Sequence, residues 1–254
     1  MSPPTNAADS AGQPWAGRSF QANDRAADDG SAPPRLISAL EDFHRGDDDG
    51  RRVIAEFATA RLLIPLVAHA GEHGVTDGGL VVDKTQELSI ITVSGPDGRD
   101  VMPVFSSVTA MQAWNSQARP VPAEGIRVAL AAAEEHTALV VLDPTSDTEF
   151  VIRRPALWAI AQSQDWIPSF ADPEVNEAFV RSCGTDARVA EVSLSAGDPT
   201  ARLRAPETIV TLALAPGLTR EEVSEVISRL SALWAADDVI ANRVDSLTVS
   251  VNAA

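Results

Sequence analysis

The sequence predicts an α/β (α+β) chain, with a larger N-terminal domain built on a mixed sheet and a smaller C-terminal α+β domain. Three observations carry this prediction. Apolar runs of strand length, such as Ala138-Leu-Val-Val-Leu142, alternate with stretches whose apolar residues recur at helical spacing. Two apolar runs bracket Gly95-Pro-Asp-Gly98, the chemistry of a hairpin turn. Thr219-Arg-Glu-Glu222 spells a capping box at the start of a long amphipathic stretch that ends near Trp234.

Taken in order, residues 1–34 are rich in Ala, Asp, Ser, Gly and Pro, with only Trp15 and Phe20 as large apolar side chains, and predict a disordered acidic tail. Leu36, Ile37, Leu40 and Phe43 then mark a helix. Asp47-Asp-Asp-Gly50 is placed to cap a second one carrying Val53, Ile54 and Phe57. The triplet lacks the D-x-D-x-D-G alternation of a calcium loop. Leu62 to Val67, interrupted by Pro65, suits an edge strand. Strands follow at Leu88 to Val93 and Val101 to Phe105, with Ser106 or Ser107 capping a helix that presents Val108, Met111 and Trp114. An alanine-rich helix runs from about Ala123 to Glu135, and the apolar strand ending at Leu142 is stopped by Asp143-Pro144. Phe150 and Ile152 alternate in one more strand, and Pro155 opens a helix with Leu157, Trp158 and Ile160. Asp165 to Pro173 reads as a linker that packs against its neighbours, which divides the chain into domains 35–170 and 171–254. Beyond it a helix near Val175 to Arg181 precedes strands near Arg188 to Leu194 and Thr208 to Leu214. The capped helix and a closing strand with Leu247, Val249 and Val251 complete the order.

Composition excludes several classes of function. A formal net charge of -16 opposes the counter-ion displacement on which nucleic-acid binding depends. The basic pairs Arg51-Arg52 and Arg153-Arg154 read as solvated surface. The acidic balance suits a basic protein partner or high solubility. A single cysteine, Cys183, leaves no disulfide framework and no CxxC pair, which points to a reducing, cytoplasmic location. No apolar run approaches the roughly 20 residues that span a bilayer, and the polar N-terminus does not resemble a secretion signal.

One motif suggests metal chemistry: His69, Glu72 and His73 match H-x-x-E-H, the ligand pattern of inverted zinc peptidases. That chemistry needs both histidines on one face of a helix. Pro65 upstream and Gly71, Gly74, Gly78 and Gly79 in and after the motif favour a loop instead. His44, in the His-Arg-Gly-Asp stretch, and His136, at a helix end, supply no third ligand. Cys183 has no histidine beside it in sequence, and G-x-S-x-G, Walker and G-x-G-x-x-G motifs are absent. Asp143-Pro-Thr-Ser146, after a buried strand, is the best-placed polar cluster, although an Asx turn explains it as well. No catalytic, cofactor-binding or metal-ligating residue is therefore assigned.

The central block resembles the SseB family, the enhanced-serine-sensitivity proteins. The resemblance rests on Arg61-Leu-Leu-Ile-Pro-Leu-Val67, Val101-Met-Pro-Val-Phe-Ser-Ser107 with Trp114, and Leu139-Val-Val-Leu-Asp-Pro-Thr-Ser146. Arg153-Arg-Pro-Ala-Leu-Trp158 is similar to actinobacterial members. The family commonly has Phe-Thr-Ser where this chain has Phe105-Ser106-Ser107. The resemblance implies no catalytic residues and no defined molecular activity. The expectation is a non-catalytic cytosolic protein that binds a protein partner; the alternative is a small-molecule binder or enzyme with a site near Asp143 and Ser146.

Overall fold

The structure, a computed structural model, describes residues 28–68, 74–75, 81–82, 88–135, 137–184 and 186–253. Helices α1 (Pro34–Arg45) and α2 (Arg51–Thr59) come first, then strand β1 (Arg61–Ala68). Short strands β2 (Gly74–Val75) and β3 (Val81–Val82) pair with each other, and β4 (Leu88–Ile90) returns along β1. The expected strand from Leu88 to Val93 is two strands: β5 (Val93–Ser94) leaves β4 to form a hairpin with β6 (Asp100–Val104) around Gly98, whose φ of 84° suits only glycine well. After α3 (Val108–Trp114) come β7 (Arg119–Glu124), α4 (Gly125–Glu134), β8 (Val140–Leu142), β9 (Phe150–Ile152) and α5 (Arg154–Ala161).

Besides the β2-β3 pair, the described residues of this half hold two larger sheets, ordered β4-β1-β7 and β5-β6-β8-β9, and a bridge between Leu63 and Phe105 joins them. β1 is therefore central rather than an edge strand, despite Pro65. The register explains how a proline is accommodated there. Pro65 and Leu63 lie opposite Pro120 and Pro122 of β7, so the missing N–H groups fall at positions alternating with the bonded pairs. Those same prolines hid β7 from sequence reading and made the next helix appear to begin two residues early. Gly125 lets α4 start against α2, since a Cβ there would lie 1.9 Å from the Phe57 carbonyl oxygen.

Alternation along β6, β8 and β9 sorts the core. Met102, Val104, Val140, Leu142, Phe150 and Ile152 face the helices, where they meet Leu36, Leu40, Phe57, Val128 and Leu157. Val101, Val141 and Val151 face the other way. They are covered by Leu203, which arrives from the C-terminal half.

That half comprises α6 (Pro173–Cys183), β10 (Val189–Ala196), β11 (Thr208–Leu214), α7 (Arg220–Ala236), α8 (Asp238–Arg243) and β12 (Leu247–Ala253). The sheet order is β10-β11-β12, antiparallel then parallel, with α7 and α8 forming the crossover. The capping box is present: the Thr219 hydroxyl accepts from the Glu222 N–H at 3.2 Å while Glu222 accepts from the Thr219 N–H at 2.7 Å. Val226, Leu230 and Trp234 of α7 pack with Val175 and Phe179 of α6 on one sheet face. Sequence reading missed α8, whose N-cap Asp237 accepts from the N–H groups of Val239 and Ile240.

Residues 28–33, assigned to the tail by composition, lie along the N-terminal half. Asp28 pairs with Arg61 at 3.0 Å, and the Gly30 carbonyl accepts from Val108 N–H at 3.0 Å. Among the described residues, no helix is long and apolar enough to cross a membrane.

Candidate ligand site between the two halves

The residues singled out in the sequence have different fates. His69, Glu72, His73 and His136 lie outside the described residues. Elsewhere, among the described residues, no three His, Cys, Asp or Glu side chains gather as a metal site. His44 is in the last turn of α1 rather than in a loop, exposed and edge-on to Phe43. Cys183 ends α6 in the C-terminal core, where burial pushes its thiol above the ordinary value, which disfavours the thiolate.

Asp143 is 1% exposed and its carboxylate serves the fold. It accepts from Ser106 N–H at 2.8 Å, from the Ser106 hydroxyl at 2.6 Å and from the Thr148 hydroxyl at 3.3 Å. Ser106 thus fastens the turn, and Ser107 is the residue that caps α3. The Ser146 hydroxyl donates to the Asp143 carbonyl at 2.7 Å. Burial pushes the Asp143 carboxyl upward, against the pull of these donors. Left-handed φ values at Asp143 and Thr145 (46° and 66°) are held by this network. Asp143 and Ser146 are engaged with one another and with the turn.

The arginine pair corrects the sequence reading most. Arg153 is not solvated surface: its side chain is 8% exposed and spans the two halves. It donates to Asp198 at 2.7 Å and to Asp245 at 3.0 Å, and also to the Ala205 carbonyl and the Ser246 hydroxyl. Arg99, in the hairpin after β5, meets both Asp245 oxygens at 2.9 and 3.0 Å, a bidentate pairing. Burial alone raises the Asp245 carboxyl, but Arg99 and Arg153 outweigh it and hold the pKa below the ordinary value. Arg154 donates to the Ala241 and Val244 carbonyls and lies over the Trp158 ring at 4.9 Å. Asp198 also accepts from Leu203 N–H at 2.7 Å, which fixes the loop that delivers Leu203 to the N-terminal sheet.

Beside this clasp is a cavity of about 270 Å³. Phe43, Phe150, Trp166 and Phe170 supply aromatic wall, and Asp198 and Glu207 supply carboxylates. Both halves and the segment between them contribute. Glu207 is 7% exposed; its carboxylate accepts from Asp245 N–H at 2.7 Å. Burial pushes its pKa up, opposed by that backbone donor. The Trp166 indole N–H is buried with no acceptor among the described residues. Sequence reading marked Trp166 and Phe170 as linker residues that pack on their neighbours. It had no signal for the Arg153–Asp245, Arg153–Asp198 and Glu207–Asp245 contacts, which span 92, 45 and 38 positions.

Together these features define an α+β protein whose two halves are clasped by buried guanidinium–carboxylate contacts beside an aromatic cavity. Residues 36–159 match the model of the SseB protein N-terminal domain, and through this segment the chain belongs to the SseB family. The match ends before Trp166, Phe170, Asp198 and Glu207, so much of the cavity wall lies beyond it. No curated protein and no solved structure matches the chain.

Proposed function

We propose that the protein acts by binding rather than by catalysis, and that it binds a small molecule between its two halves. The supporting observation is the cavity itself: concave, largely apolar, set at a domain junction and furnished with a few buried polar groups, the usual character of a metabolite site. The non-catalytic reading is supported by Cys183 and Asp143, the best nucleophile and acid candidates, each being buried in structural contacts. A site near Asp143 and Ser146 has less in its favour, because those groups bond to each other. A protein partner also has less support. Of the exposed large apolar residues, Trp158 and Ile167 line one shared hollow, while Val121, Leu130, Val180, Leu233 and Val251 sit on five different elements. A cytoplasmic setting accords with the single unpaired cysteine.

The test is a thermal-shift screen of the full chain against small metabolites, repeated on Ala196→Phe, which fills the cavity from β10. A ligand should raise the melting temperature of the parent and leave the variant unmoved. Equal shifts in both proteins would place binding elsewhere and overturn the proposal.

A further inference from the structure

The charges around the cavity do not balance. Three buried carboxylates, Asp198, Glu207 and Asp245, share two guanidiniums, Arg99 and Arg153. Arg153 is held between Asp198 and Asp245, and Arg99 between Asp245 and Asp97. Glu207 receives a backbone N–H but makes no ion pair among the described residues. Two further carboxylates line the cavity: Asp49 is paired with Arg51, whereas Asp48 accepts the Gly50 N–H and makes no ion pair among the described residues. The cavity therefore carries excess negative charge in a setting that penalises an unpaired anion. Its aromatic rings add faces that attract cations and repel anions.

We propose that the ligand is an organic cation, an ammonium group on an apolar body, and that Glu207 is its counter-ion. This rests on the cavity being the binding site. The ammonium supplies the charge that Glu207 lacks, the rings take the apolar body, and an anionic metabolite of the same shape is rejected. Burial, helped by the neighbouring Asp245 charge, raises the carboxyl of Glu207, and the pull of the Asp245 N–H and of Arg153 does not reverse it.

Three probes of similar shape separate the possibilities: phenethylamine, 2-phenylethanol and 3-phenylpropionate, each titrated calorimetrically into the full chain at neutral pH. The expected order is amine over alcohol by at least tenfold, with the carboxylate weakest. Glu207→Gln keeps a side-chain acceptor for Asp245 N–H and should abolish the preference for the amine over the alcohol. If the alcohol binds as well as the amine, and Ala196→Phe blocks both, the cavity reading stands and the cation inference fails. Retention of the amine preference in Glu207→Gln also overturns the inference. Failure of all three probes to bind overturns the cation inference, while the cavity reading is decided separately by the thermal-shift screen on the parent and Ala196→Phe. Should Glu207→Gln not fold, the ranking of the three probes on the unaltered chain still decides.

Discussion

At the scale of the residue, Arg153 does the most to hold the halves in place. Removing a buried ion-pair partner leaves its carboxylates without a cation, which typically costs about 3–5 kcal/mol. Arg153→Met should lose an amount in that range in urea denaturation. Arg153→Lys should recover less than half of it, since one ammonium cannot span Asp198, Asp245 and the Ala205 carbonyl as the planar fork does. Glu207 adds a pH dependence of opposite sign to that of its neighbour Asp245. Its folded-state pKa is raised above 4.5, so the folded chain binds the proton more tightly than the unfolded one. That stabilisation is complete below 4.5 and is lost as pH rises through the folded value. Asp245, with a lowered pKa, contributes stability above 3.8 that is lost as pH falls through its folded value. Arg153, Asp198 and the Ser169 hydroxyl surround the pair. Relative to the parent, Glu207→Gln should therefore gain stability as pH is raised from about 4 to 7, read from urea midpoints. A constant difference across that range would show that Glu207 titrates as in the unfolded chain.

At the scale of the element, local chemistry was legible and pairing was not. The Gly95 to Gly98 hairpin, the Thr219 capping box and the helical stripe of α7 each depend on residues within a few positions, and each is where the sequence placed it. β7 escaped because Pro120 and Pro122 argue against a strand until their register with Leu63 and Pro65 is known. Arg153 escaped because nothing near it announces Asp198 or Asp245. The segment 28–33 escaped because its contacts are backbone groups and one ion pair, invisible to an apolar count. It yields a specific expectation. A chain starting at Arg35 should melt below one starting at Asp28, because it lacks the Asp28–Arg61 pair and the Gly30–Val108 bond. Their joint worth of about 1–2 kcal/mol corresponds to roughly 2–8 °C at this chain length. Equal melting temperatures would mean that these contacts contribute nothing.

For the whole molecule, the question is how far one half can open without the other. Leu230 is fully buried under the C-terminal sheet, and Leu230→Ala should cost about 2–5 kcal/mol. Hydrogen exchange on this variant should show protection falling first in α6, β10, β11 and α7, with the helix-facing core around Met102 and Ile152 retained. The amide of Val151 is the informative exception. It lies in β9 yet donates to the Ala201 carbonyl at 2.7 Å, so its protection should follow the C-terminal half. Uniform loss along the chain would instead mean a single cooperative unit. The β10–β11 connection that carries Ala201 and Leu203, both at left-handed φ, has the sequence of an ordinary surface loop but is anchored at Asp198 and plugged into the opposite sheet. For protein engineering this reverses the usual choice of splice point. A reporter domain or a circular-permutation cut placed at 199–203 should pry the halves apart, whereas the exposed Pro216-Gly217 connection should accept either one and leave the fold intact.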